Sequence, residues 1–127
     1  MFSVYNLTEQ TVKPGEAIVL DGINFIPNCA IRTVNRAVRA GIQRISASVN
    51  STPTVAGQIV WNVEAGNAPI PWASIQTPGT TVGTYENASA EVIVPTTCNT
   101  SIQIVNNSEN PVTVPARGAS LVVKREG

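Results

Sequence analysis

The residues able to do chemistry in this chain are few, and their spacing assembles no familiar catalytic set. Histidine is absent, which removes Ser–His–Asp and Cys–His nucleophile arrangements. The acids are Glu9, Glu16, Asp21, Glu64, Glu86, Glu91, Glu109 and Glu126. They are scattered, with no D-x-D or E-x-x-E cluster. A glycosidase needs two carboxylates roughly 5–9 Å apart, and only folding could bring such a pair together, Glu86 and Glu91 being the nearest candidates. A lone Asp21 does not make a calcium loop, and no glycine-rich phosphate loop is present. Cys29 and Cys98 alone give no usual zinc set. They read as two buried thiols, or as a disulfide if the setting is oxidising. No catalysis, metal or cofactor is expected.

What remains is binding chemistry. Arg32, Arg36, Arg39 and Arg44 fall in a stretch with no acid between Asp21 and Glu64. That local excess suits a docking surface for an acidic partner; the plainer alternative is solvated rims or ion pairs to acids elsewhere. Trp61, Trp72 and Tyr85 are candidate interface or ligand aromatics. The tryptophans suit core or subunit-interface anchors, and an exposed Trp72 beside Pro69 and Pro71 could instead stack on a sugar ring. Asn-x-Ser/Thr occurs at Asn6, Asn50, Asn87, Asn99 and Asn106, as chance allows in a chain rich in Asn and Thr.

These side chains must be positioned by strands. The 127 residues hold 17 Val, 12 Ile and 13 Thr against 3 Leu. Such β-branched residues are stiff at χ1 and fit a pleated surface. The length makes one domain large enough to bury a core unaided. From 90 to 124 the pairs Val92/Val94, Ile102/Ile104, Val112/Val114 and Leu121/Val123 alternate with polar residues, with turn residues between. That pattern predicts an antiparallel meander whose last strand is central. Earlier strands are expected over 16–20, 42–49, 58–64 and 81–86, with a broken piece at 68–75. Residues 29–40 carry a helical arginine spacing inside a β-rich context, and strand and loop are favoured there. Residues 1–15 are an arm or first strand, and 16–127 the domain. In total eight to ten short strands suggest an all-β antiparallel sandwich or jelly roll.

Four motifs in order carry a family resemblance over about residues 28–127. They are Arg39-Ala-Gly-Ile-Gln-Arg-Ile-Ser46, Asn62-Val-Glu-Ala-Gly-Asn-Ala-Pro-Ile-Pro71, the pair Ala90–Pro95 with Ser101–Asn106, and Ala119–Lys124. Together they resemble the jelly-roll domains of the tumour-necrosis-factor and complement-globular-head superfamily, closest to its bacterial and phage members. Gln43 stands where an aromatic is usual there, and Thr97-Cys98 replaces a Gly-Asp turn. The resemblance implies a ten-stranded jelly roll and a homotrimer, of the kind found in structural tips and spikes.

Charge narrows the partners. Charged residues are 13% of the chain and the formal net charge is +0. A general nucleic-acid binder needs basic excess, so none is expected. No apolar run approaches the roughly 18 residues of a membrane helix. The start MFSVYNLTEQ lacks a basic region followed by an apolar one, so no signal peptide is expected. The expectation is a non-enzymatic structural virion protein, made in the host cytoplasm: a trimeric capsid decoration or head-fibre subunit of a phage, touching itself and a capsid protein. The alternatives are a glycan-binding or receptor-binding module, and a bacterial surface or spore-coat protein.

Overall fold

The computed structural model describes residues 2–25, 36–38, 41–66, 68–96 and 100–126. Eleven strands and no helix occur among them: β1 Phe2–Tyr5, β2 Gln10–Val12, β3 Gly22–Phe25, β4 Arg36–Val38, β5 Gly41–Pro53, β6 Ile59–Ala65, β7 Ala68–Thr77, β8 Glu86–Thr96, β9 Thr100–Asn106, β10 Val112–Val114 and β11 Ala119–Arg125. All the pairings are antiparallel. The larger sheet runs β2-β10-β5-β11-β1-β3, with β8 on the other edge of β5; the smaller runs β4-β9-β6-β7.

Side-chain period 2 decides which residues meet between the sheets. Ile45, Ala47, Val49, Val92, Val94, Leu121 and Val123 point inward from the larger sheet, and Ile59, Trp61, Val63, Ile75, Ile102 and Ile104 from the smaller. The expected inward residues of 90–124 are all buried, and β11 lies between β5 and β1, central as expected. The meander is corrected. β8 pairs with β5, β9 with β6 and β4, β10 with β2 and β5, so the chain crosses between sheets from β8 to β9 and from β9 to β10, and β10 and β11 each pair with β5 rather than with each other. Alternation reports which face is buried and carries nothing about which strand lies alongside.

Other expectations also shift. The strand expected at 81–86 starts only at Glu86, because Gly79 (φ 59°) and Gly83 (φ 90°) hold left-handed turns before it. A side chain at Gly79 would run into the Gly57 carbonyl, so that turn demands glycine. The segment at 16–20 is an extended plug, not a ladder strand: Ile18 and Leu20 are fully buried, Ala17 makes a single bridge to Val105, and the Gln10 side chain satisfies both backbone groups of Val19. β5 continues through 50–53, where a loop is expected, because β10 and β8 both extend along it. Of 29–40, residues 36–38 are strand and the remainder lies outside the described residues.

The N-terminal strands β1 and β2 are built into the larger sheet. β1 is paired on both edges, Val4 is buried, and β2 pairs with β10. Two buried asparagines pin this segment to the far end of the chain. Asn6 Nδ2 donates to the carbonyls of Thr8 (3.0 Å) and Pro115 (2.7 Å), and its Oδ1 accepts from the Ala119 N–H (2.9 Å). Asn106 Nδ2 donates to the carbonyls of Val12 (2.9 Å) and Asn110 (3.2 Å), and its Oδ1 accepts from the Ser108 N–H (2.8 Å). Both read as glycosylation sequons in the sequence; their amides are occupied inside the fold.

Candidate functional site

Arg44 points outward from β5. Its Nη1 lies 2.6 Å from Glu91 Oε1 and its Nε 2.6 Å from Glu126 Oε1. Ser46 Oγ donates to the other Glu91 oxygen at 3.2 Å. Arg44 and Ser46 come from β5, Glu91 from β8 and Glu126 from the residue just past β11, whose Lys124 sits opposite Arg44. One positive and two negative charges make it a local ion-pair network. The hydrogen bond from Arg44 holds the Glu126 carboxyl below its ordinary value of 4.5, and the two acids raise Arg44 in turn. A carboxyl depressed in the folded state stabilises at pH above its ordinary value, and that contribution is lost as pH falls through the folded value. We therefore expect the melting-temperature gap between wild type and Glu126→Gln to be present at pH 7, to narrow below about pH 4.5, and to shrink with added salt. A gap independent of pH would refute the pairing.

Arg36 is a strand residue of β4, opposite Ile102 on β9. Arg32, Arg39, Cys29 and Cys98 lie outside the described residues. The four arginines are thus not shown to converge.

Around Arg44 the outer face of the larger sheet is assembled from small residues. Ser89, Ser48 and Ser120 stand in one row across β8, β5 and β11; Glu91, Ser46 and Val122 form the next. They line a shallow groove of about 210 Å³. Ile93 beside Arg44 and Ile42 beyond it are exposed on the same face. Residues this small let another surface approach the backbone closely, and the two isoleucines offer apolar area at one end. The sequence signal was present as the run Ile-Ser-Ala-Ser-Val over 45–49, whose serines read simply as solvated.

The aromatics separate. Trp61 is 1% exposed and central to the core. Tyr85 is exposed just before β8, and Trp72 on β7 is the most exposed large hydrophobic among the described residues, at 67%. Among the described residues β7 is paired on one edge, with β6. Its register jumps there: Asn62 faces Ser74, but Glu64 faces Pro69. Five steps on β7 thus oppose two on β6, leaving three extra residues in a bulge. Ile70 and Ala73 turn inward and Pro71 and Trp72 both turn out. Bulges of this kind re-aim side chains. At one end of the sandwich the loops 53–58 and 107–111 enclose a second depression, of about 380 Å³, with Gln58 on its wall. Thr54 donates to the Pro111 carbonyl at 2.5 Å and Ser108 Oγ accepts from the Val60 N–H at 2.8 Å, so the two loops are fastened together. Among the described residues no three of His, Cys, Asp or Glu come together as metal ligands.

No protein-family model matches this sequence, and no curated protein is similar to it in sequence. Solved structures are similar in fold. The globular domain of zebrafish complement 1qA superposes with a TM-score of 0.71 at 9% identity, covering 98% of each chain. Eiger TNF from S. frugiperda gives 0.74 at 10% identity, over 99% of this chain and 91% of that one. Rabbit GITRL gives 0.53 at 15% identity, over 80% and 79%. At such identities the likeness is one of fold: the chain is an all-β, TNF-like and complement-globular-head-like jelly roll in a single domain.

Proposed function

We propose that this chain is a non-enzymatic structural module that associates with itself, as a homotrimer, through the outer face of its larger sheet. On this reading it serves as a capsid decoration or head-fibre subunit on a phage virion. The observation that carries the self-association is that face: a serine-lined groove crossing β8, β5 and β11, continuous with exposed Ile42 and Ile93. A fold that suits a binding or structural module supports it, as does the homotrimer that the sequence resemblance implies. The low charge content supports life within an assembly.

Sedimentation tests this directly. The wild-type chain is expected to run at three times its 13.4 kDa monomer mass. Ser48→Arg puts a long cation in the middle of the groove without touching the core. It is expected to give a folded monomer, with the trimer weakened at least a hundredfold, because desolvating an unpaired charge at an interface is costly. A wild-type monomer at all concentrations would end the proposal. A Ser48→Arg trimer would move the interface elsewhere. The virion assignment is checked separately, by mass spectrometry of purified particles.

A further inference from the structure

The outer face of the smaller sheet has a different chemistry, and it bears no relation to the self-association face. Gln58 Nε2 donates to Gln76 Oε1 at 3.2 Å, and Gln76 Nε2 donates to Ser74 Oγ at 3.2 Å. Asn62 lies opposite Ser74 on β6. A polar row thus runs from the wall of the 380 Å³ depression, where Gln58 sits, along β7 to the bulge that presents Trp72. Ser74 and Gln76 follow Trp72 at the two-residue period of one strand face, with Ala73 and Ile75 buried between them. From Gln76 to Trp72 is four strand steps, about 14 Å.

We infer that this face is a binding site for an uncharged oligosaccharide, with Trp72 as the stacking platform and Asn62, Ser74, Gln76 and Gln58 as the polar rail. Each component matches one half of a pyranose. The indole offers a flat apolar surface to the C–H face of a ring. Amides and a hydroxyl offer paired donors and acceptors to ring hydroxyls. The span fits a short oligomer rather than one ring. Pro69 and Pro71 restrict the bulge backbone, so the platform is fixed before a ligand arrives. Charge selects the class of sugar. β6 and β7 contain no Lys or Arg, and their only ionisable group is Glu64, opposite Pro69. A sulfated or sialylated chain would find no cation on these two strands and would meet a carboxylate.

The test uses the full chain with cellohexaose, chitohexaose and maltohexaose as neutral probes and a heparin hexasaccharide as the charged one. Binding is read by calorimetry and by acrylamide quenching of tryptophan, in which exposed Trp72 dominates over buried Trp61. At least one neutral probe is expected to bind and to protect the fluorescence. Trp72→Ala is expected to weaken that binding at least tenfold and Gln76→Ala about threefold to tenfold, with the melting temperature unchanged in both. No neutral probe binding at millimolar concentration, binding of heparin alone, or a Trp72→Ala variant that binds as wild type would overturn the inference. Sedimentation of Trp72→Ala separates it from self-association. A loss of the trimer on that substitution would make Trp72 a subunit contact and overturn the sugar site, leaving the self-association itself intact.

Discussion

Asn6→Ala is expected to lower the unfolding free energy by about 3 kcal/mol, as read from urea midpoints. The removed amide strands the buried Ala119 N–H and takes a donor from the Thr8 and Pro115 carbonyls, of which Pro115 keeps the Gly118 N–H. A buried polar group stripped of its partner costs about 1–3 kcal/mol. The same residue's backbone is already engaged, its carbonyl accepting from the Arg117 N–H at 2.8 Å, so the turn between β10 and β11 cannot simply rotate to find a new donor. Asn6→Asp is expected to be no rescue. It keeps an acceptor for Ala119 but sets a carboxylate against the Pro115 carbonyl. Asn87→Ala is the matched control: Asn87 is exposed, its bond to Ser48 Oγ is 3.4 Å long, and a change within about 0.5 kcal/mol is expected. If Asn6→Ala matched that control, the clamp would not be what holds the N-terminal strands. The same argument makes removal of residues 1–12 an unfolding experiment.

The second large effect is at Trp61. Trp61→Ala is expected to cost about 3–5 kcal/mol, the range for emptying a large aromatic site in a core. Trp61→Phe is expected to cost far less, about 1–2 kcal/mol, despite the lost volume. Its Nε1–H is buried and finds no acceptor among the described residues, so the substitution orphans no partner and removes an unsatisfied donor. A phenylalanine variant as unstable as the alanine one would mean that the indole N–H is held by an acceptor after all.

Composition and alternation made the fold class readable. Seventeen valines and twelve isoleucines in period-2 runs demand a half-buried pleated surface, and the inward residues of β8 to β11 follow from that alone. Neighbours do not follow, because a strand of fixed alternation can pair with any other that buries the same face; hence the meander expected at 90–124 is a set of crossings. Asn6 and Asn106 were equally opaque. An asparagine before x-Thr or x-Ser looks exposed until backbone groups of its own turn and of a segment remote in sequence close around it. Trp72 was singled out, but the bulge that turns it outward depends on the register of β6. Ion pairing of Arg44 to acids elsewhere was one of the two readings open, but which acids could not be named, because Glu91 and Glu126 are 47 and 82 residues away in sequence.

The pairing of β1 with β11 has a kinetic consequence. Phe2 lies opposite Val123, nearly the whole chain apart, and β1 has only β3 besides to hold it. On a ribosome, β1 must wait for β11 before it has its central neighbour. The larger sheet cannot close until β11 has emerged, and until then β5 offers an open apolar edge. Contacts of such long sequence separation place folding in the millisecond-to-second range. They also make a nascent chain stalled before residue 119 the species most exposed to aggregation and chaperone capture.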